Sequence, residues 1–128
     1  MKSIVITVFV YALTMMMFGC QNQAANTKTV NVVISNSSTN DLNLVELNWQ
    51  GPDIPAGVMP LGISKTSIGV EWPKLESAKL TFVNEKTREP YSIDLSFAEI
   101  NKQIDSGSCR TVVIRIVSFQ KAEVVTGD

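Results

Sequence analysis

The sequence contains no histidine among its 128 residues, and this absence excludes several classes of enzyme. Histidine is the usual base of serine and cysteine hydrolases and a common zinc ligand, so sites of both kinds that depend on it are excluded. The chain also lacks the glycine-rich GxxxxGK[ST] and GxGxxG phosphate-binding motifs, and its acidic residues do not have the spacing of a calcium-binding loop. The sequence therefore predicts no cofactor and no metal site.

Neither sign of charge is in large excess. The chain has 11 basic and 12 acidic residues, so it lacks the basic surface expected of a nucleic-acid-binding protein. Two carboxylate pairs, Asp94 with Glu99 and Glu85 with Glu89, can be compared with the acid pair of a glycosidase. However, 12 acidic residues in a chain of this length form such pairs by chance. We predict that the protein is not an enzyme.

The first 20 residues predict export from the cytoplasm. One cation, Lys2, precedes an apolar run over residues 4–18, and a polar stretch follows Cys20. A short basic start, an apolar stretch of up to about fifteen residues and a small residue at its end are typical of an export signal. Two other interpretations remain open. The segment could be an uncleaved membrane helix, which needs roughly 17–25 residues, or a conventional signal peptide that releases a soluble protein.

The end of this segment, Met17-Phe18-Gly19-Cys20, resembles the lipobox of bacterial lipoproteins. The resemblance covers the leader only. It implies that residues 1–19 are a signal peptide and that Cys20 becomes an amino terminus carrying acyl chains such as palmitate, which hold the protein in a membrane of the bacterial envelope. Because no acidic residue occurs before Asp41, the sorting rule of this family favours the periplasmic face of the outer membrane in a Gram-negative cell.

The segment after the leader is short and polar. We expect residues 20–28 to be a lipidated, flexible tether that leads to one domain over residues 29–128. The chain has two cysteines, and lipidation of Cys20 would exclude a disulfide bond between Cys20 and Cys109. Cys109 is then either a reactive thiol or a small buried residue at the start of a strand. We prefer the buried interpretation because the chain has no histidine to activate a thiolate.

Apolar and polar residues alternate through most of the domain, which predicts a series of short β-strands. Residues 78–95 are typical of a hairpin whose charged turn covers residues 84–89. The predicted inward faces are Val30, Val32 and Ile34; Val45, Leu47 and Trp49; Thr66, Ile68, Val70 and Trp72; Ala78, Leu80 and Phe82; and Tyr91, Ile93 and Leu95.

The pattern changes at Ser96. Ser96 and Glu99 fit a capping box at the start of a helix over residues 97–105, and Gly107 is well placed to end that helix. The helix would place Phe97 and two isoleucines on one face. Residues 111–119 are almost continuously apolar, which predicts a central strand covered on both faces, with Arg115 at an uncovered spot or paired. Residues 120–128 predict a short edge strand.

Together these elements predict a mainly β fold. We expect an antiparallel β-sandwich of about six or seven strands with one short helix, immunoglobulin-like or transthyretin-like in outline. A single curved sheet with the helix on one face is the alternative. The cysteine pair of true immunoglobulin domains is absent, because the chain contains only two cysteines and Cys20 is the predicted lipid-attachment residue outside the domain.

The least regular stretch covers residues 50–62 and contains three prolines and three glycines. It cannot be a central strand, and long irregular segments often carry binding function. We predict that a protein partner contacts residues in or beside it, namely Trp49, Ile54, Val58 and Met59. Trp49 and Trp72 are either core residues, which we prefer, or aromatic anchors for a partner.

The preferred function is that of a non-catalytic, lipid-anchored envelope lipoprotein that binds another envelope protein. An inhibitor or immunity protein is one version of this function. The alternatives are a structural lipoprotein that assembles an envelope complex and, less favoured, a small glycan-acting enzyme that uses two carboxylates.

Overall fold

The computed structural model describes residues 28–49, 53–73 and 75–127, and this part of the chain folds as eight β-strands and one helix. The predicted signal peptide, Cys20 and residues 20–27 of the predicted tether lie outside the described residues. The elements are β1 (Thr29–Asn36), β2 (Leu42–Asn48), β3 (Ile54–Met59), β4 (Ser64–Glu71), β5 (Ser77–Asn84), β6 (Pro90–Ser96), α1 (Ala98–Asp105), β7 (Thr111–Ile116) and β8 (Ala122–Thr126).

The strands form two four-stranded sheets. Sheet A has the order β4-β1-β7-β8, and sheet B has the order β3-β2-β5-β6. Neighbouring strands are antiparallel except β1 and β7, which are parallel. The predicted mainly β, two-sheet architecture is confirmed. The predicted strand number is too low by at least one, and the sandwich is not wholly antiparallel.

The additional strand is β3, which falls in the stretch predicted to be irregular. Proline cannot donate to a β-ladder and is therefore restricted to edge strands and strand ends. Pro55 satisfies this restriction because β3 lies at the edge of sheet B, where β2 is its one partner among the described strands. Residues 54–59 are thus an edge strand rather than part of a long loop.

The core lies between the two sheets and receives one face of nearly every strand. Apolar side chains that alternate along β1, β2, β5, β6 and β7 are buried there, as the sequence predicts for most of them. Burying such side chains is the main favourable term in folding. The helix adds Phe97, Ile100 and Ile104, which are all buried, so the predicted helical face is confirmed.

Strand β4 departs from its predicted pattern. Ile68, predicted to face the core, is 83% exposed, whereas Trp72 is only 5% exposed. Val30 pairs with Val70 and Val32 pairs with Ser67, so two residues of β4 oppose Asn31 and form a β-bulge. The bulge shifts the alternation by one residue. Gly69 adopts a φ of +68° there, and its N–H donates to Asn31 Oδ1 at 3.2 Å.

The helix begins one residue later than predicted and without the capping box. Its N-cap is Phe97, and no side chain caps the first turn. Ser96 is unavailable because it is the last residue of β6 and pairs with Ser77. The predicted end is confirmed, since Gly107 has a φ of +80° and its N–H donates to Ile104 O at 3.1 Å.

Strand β7 is central in sheet A, as predicted, but one of its faces is not covered by any described element. Val112, Ile114 and Ile116 are buried, while Arg115 lies on the outer face with its Nη1 3.5 Å from Glu123 Oε2. The predicted edge strand at the end of the chain is confirmed as β8. Within the described residues, no helix has the length and apolar character that crossing a membrane requires.

The connections divide the sandwich into two different ends. The turns at residues 37–41, 60–63, 85–89 and 117–121 lie together at what we call the turn end. The opposite end, called the helix end, contains α1 and the start of β1. Trp72 N–H donates to Lys28 O there at 2.8 Å, so the described chain enters the domain at the helix end.

Candidate functional site

The four residues predicted to contact a partner lie on or beside the edge of sheet B, in different environments. Ile54 is 8% exposed and Met59 is fully buried, so both side chains belong to the core. Trp49 is partly buried against that core, and Val58 is 52% exposed. Of the four residues, Val58 therefore has the largest fraction of its surface exposed to solvent. Cys20 lies outside the described residues.

The two tryptophans form an aromatic cluster at the helix end. Trp49 and Trp72 have ring centroids 5.3 Å apart, and Trp72 lies 4.9 Å from Phe97 by the same measure. Trp72 Nε1 donates to Asn101 Oδ1 at 2.6 Å, which satisfies the polar atom of a nearly buried indole. The core interpretation of Trp72 is supported by this burial.

Several large apolar side chains near the turn end are exposed instead of buried. Leu44 is 65% exposed, Leu61 is 55% exposed and Ile63 is 44% exposed. Together with Val58 they define what we call the turn-end surface: Leu44, Val58, Leu61 and Ile63. Leu44 opposes Val58 in the ladder, since Leu42 pairs with Met59 and Val45 with Gly57. Groups of exposed apolar side chains often mark binding surfaces.

Leu44 is the least expected member of this surface. Its φ of +50° lies in the left-handed region, which residues other than glycine and asparagine seldom adopt. Its N–H donates to Asn43 Oδ1 at 2.7 Å, which supports this conformation. Strained backbone of this kind is concentrated at functional sites. The sequence contains one signal for it: Leu42 and Val45 are both inward yet three residues apart, which requires a bulge between them.

Beneath the surface, a buried amide fixes the adjoining turns. Asn36 is fully buried, and its Nδ2 donates to Asn40 O and to Met59 O, both at 2.8 Å. Its Oδ1 accepts from Ser38 N–H at 3.1 Å and from Ser38 Oγ–H at 2.6 Å. One side chain therefore joins the end of β1 to the end of β3 and to the turn at residues 37–41.

Leu61 is held by a second polar contact. Its N–H donates to Asp41 Oδ1 at 3.0 Å, so the turn at residues 60–63 is attached to the turn at residues 37–41. Because the backbone is already fixed in this way, binding through the Leu61 side chain costs less backbone conformational entropy.

Aromatic stacking supports the other side of the turn end. Tyr91 stacks on Phe119 with ring centroids 4.4 Å apart and on Phe82 at 5.8 Å. Tyr91 Oη donates to Glu89 Oε2 at 3.0 Å, and this hydrogen bond is the main reason that the pKa of Tyr91 is raised above its ordinary value of 10.0. Desolvation and the negative charge of Glu89 act in the same direction.

The polar residues considered for catalysis do not form a metal-binding cluster in the part of the chain that the structure describes. Asp94 lies on β6 and Glu99 in the first turn of α1, while Glu85 and Glu89 are the first and last residues of the turn between β5 and β6. Cys109 is 4% exposed, and its Sγ donates to Thr111 O at 3.3 Å, which supports the interpretation as a buried residue.

Comparison with known proteins leaves the family of the chain open. No protein-family model matches the sequence, and no curated protein matches it. Among solved structures, the chain is similar to a protein from Eubacterium rectale determined by NMR, with a TM-score of 0.45 and 9% sequence identity. The alignment covers 79% of this chain and 90% of that chain.

Proposed function

We propose that the protein is a non-catalytic lipoprotein of the bacterial envelope, anchored through Cys20, that binds an envelope protein through the turn-end surface. The observation that carries the proposal is the exposure of Leu44, Val58, Leu61 and Ile63 beside turns that are held by side-chain hydrogen bonds. Burying exposed apolar side chains against a partner is favourable because it removes apolar area from water. In typical interfaces a few residues supply most of the free energy of binding.

The polar surroundings of this surface are suited to a protein interface. Asp41, Glu85 and Lys86 line a groove of about 320 Å³ that also includes Leu61, so charges of both signs border an exposed apolar residue. Protein interfaces commonly have an apolar centre surrounded by a polar rim. A protein surface that carries apolar side chains is therefore the partner that this region fits.

The proposed anchor and the proposed binding surface are compatible in position. A tether that starts at Cys20 enters the domain at the helix end, through Lys28. The turn-end surface lies at the opposite end of the sandwich and so faces away from the membrane that holds the lipid. A periplasmic protein, or the periplasmic domain of a membrane protein, could then contact this surface without contacting the bilayer.

Of the two sandwich outlines considered, we propose the transthyretin-like one. In immunoglobulin constant domains the first two strands belong to the same sheet. Here β1 belongs to sheet A and β2 to sheet B, which argues against that arrangement. An experimental structure with β1 and β2 in one sheet would refute this part of the proposal.

The anchor is tested by intact-mass analysis of the protein extracted from bacterial membranes, beside a Cys20→Ala variant. We expect a chain that begins at Cys20 and carries added acyl mass, and we expect the variant to lack that mass. An unmodified chain that retains residues 1–19 would contradict lipidation and would favour the uncleaved membrane helix.

The binding surface is tested by site-specific photo-crosslinking in intact cells. The photoreactive amino acid benzoylphenylalanine replaces Leu61 in one variant and Lys102, an exposed residue of α1, in the control. We expect a discrete protein adduct from position 61 and none from position 102, and we expect Val58→Asp to abolish the adduct. Equal adducts from both positions, or none from position 61, would refute the assignment.

A further inference from the structure

A second groove lies on the outer face of sheet B at the helix end, away from the turn-end surface. Its volume is about 420 Å³, within the range of roughly 300–1,000 Å³ that is usual for ligand sites. Strand register places Asn48, Lys79 and Asp94 side by side across β2, β5 and β6. Glu76 and Ser77 complete the polar part of the lining, and Trp49 contributes an aromatic ring.

The charged groups of this groove are not used to stabilise one another. Lys79 and Asp94 are direct neighbours in the ladder and both are exposed, yet no ion pair within 4.0 Å joins them among the described residues. Glu76 is likewise exposed and makes no ion pair with a described residue. An ammonium group and two carboxylates are thus available, beside a partly exposed indole, to donate and accept hydrogen bonds.

We propose that this groove binds a carbohydrate, with a pyranose ring against the indole of Trp49 and ring hydroxyls hydrogen-bonded to Lys79 and Asp94. A pyranose presents an apolar face of C–H groups, which fits the apolar surface of an aromatic ring. Its hydroxyls both donate and accept, so they can accept from the Lys79 ammonium group and donate to the Asp94 carboxylate.

Other ligand classes fit the groove less well. Phosphate or another anion would meet two carboxylates, Glu76 and Asp94, against one lysine, which is unfavourable electrostatically. An extended peptide binds through backbone hydrogen bonds to a free strand edge. The groove instead lies over β5, which is paired on both sides with β2 and β6, so the ligand must bond to side chains. A ligand rich in hydroxyl groups meets this requirement.

The site is independent of the proposed function in location and in ligand. The turn-end surface and the groove lie at opposite ends of sheet B, so a protein and a glycan could be bound at the same time. Amino-sugar glycans and glucans both present an apolar ring face and several hydroxyl groups. Comparing oligomers of both kinds therefore decides which class of glycan the groove binds.

The test is titration of the full chain, purified in detergent, with chitotetraose, cellotetraose and maltotetraose, followed by calorimetry and by tryptophan fluorescence. We expect saturable binding of at least one of the three with a Kd of about 1 mM or lower, and a change in emission from Trp49. Asp94→Asn and Lys79→Ala should each weaken that binding about tenfold, because each removes a charged hydrogen bond.

The matched control is Lys102→Ala, which removes an exposed lysine of α1 and should leave the affinity unchanged. Absence of saturable binding for all three oligomers would overturn the proposal. Binding that Asp94→Asn and Lys79→Ala leave unchanged would overturn it as well, because the sugar would then bind elsewhere. Neither result affects the photo-crosslinking test of the turn-end surface, so the two proposals fail separately.

Discussion

Asn36 and Asn84 are buried asparagines, and each closes a turn at the turn end. Asn36 uses both amide hydrogens and accepts twice through Oδ1. Asn84 Oδ1 accepts from Lys86 N–H at 2.9 Å, and its backbone carbonyl accepts from Arg88 N–H at 2.8 Å. Amide side chains can satisfy backbone groups that a tight turn leaves unpaired. These two residues therefore hydrogen-bond backbone groups in two of the turns at the turn end.

Replacing Asn36 by alanine should lower the free energy of unfolding by about 3 kcal/mol, because the carbonyls of Asn40 and Met59 would lose their buried donor. Urea denaturation, followed by tryptophan fluorescence, measures the change. Asn40→Ala is the control, since the one side-chain hydrogen bond of Asn40 to a described residue is an exposed bond to Thr39, and the effect of this substitution should stay within about 0.5 kcal/mol. A small effect of Asn36→Ala would show that the network does not stabilise the fold.

Tyr91 should ionise above pH 10.0, because its hydroxyl donates to the Glu89 carboxylate and ionisation would destroy this bond. Since the pKa in the folded state is raised, the contribution to stability is fully present below the unfolded pKa and is lost as pH rises through the folded pKa. Absorbance titration at alkaline pH, with Tyr91→Phe subtracted, measures the midpoint. Glu89→Gln should move the midpoint down toward 10.0, and an unchanged midpoint would contradict this assignment.

At the scale of elements, local pattern predicts strands well where alternation is uninterrupted. The inward faces of β1, β5 and β6 follow directly from it, and so does the helical face of α1. The error at Ile68 occurs where β4 gains a residue relative to β1. A bulge depends on the partner strand, which local sequence does not specify. The capping box failed for a related reason, because Ser96 is already committed to β6.

The bulge in β2 also allows stability and binding to be separated. Leu44→Asn should stabilise the protein by about 1 kcal/mol, because asparagine tolerates the left-handed conformation that leucine adopts here at a φ of +50°. The same change should reduce the photo-crosslinked adduct by removing an exposed apolar side chain. Thermal unfolding and adduct yield are the two measurements.

The control for this experiment is Ile63→Asn, which also replaces an exposed apolar side chain of the turn-end surface but at a position where φ is not positive. Ile63→Asn should reduce the adduct without stabilising the fold. If Leu44→Asn destabilised the protein, the strain attributed to Leu44 would be incorrect. If it left the adduct unchanged, Leu44 would not belong to the binding surface.

At the scale of the whole molecule, composition and alternation predict two sheets but do not predict which strands pair within each sheet. The strand count, the parallel pairing of β1 with β7 and the crossing of β3 and β4 between sheets all depend on contacts between distant segments. The candidate site, too, was predictable from local sequence only in part. The stretch at residues 50–62 was identified by its prolines and glycines, yet Ile54 and Met59 are buried because β3 completes sheet B. Only the fold reveals that Leu44 joins Val58 at the surface.

The division into two ends leads to a prediction about orientation on the membrane. If Cys20 carries the lipid, as proposed, the eight residue-to-residue steps from Cys20 to Lys28 span at most about 28 Å when extended and about 16 Å on average as a flexible coil. The strands of the sandwich are up to eight residues long, or about 26 Å. A lipid on Cys20 would therefore hold the helix end close to the bilayer, and the turn end would lie farther from it by about the length of one strand.

Fluorescence energy transfer to an acceptor lipid measures this orientation in reconstituted vesicles. A donor is attached at Lys86→Cys, in the turn between β5 and β6, or at Lys102→Cys on α1; Cys109 is buried and should label poorly. We expect clearly lower transfer from position 86 than from position 102. Cys20→Ala should abolish transfer at both positions because the domain would leave the membrane. Equal or reversed transfer in the lipidated protein would place the turn-end surface against the bilayer, where a soluble partner could not reach it.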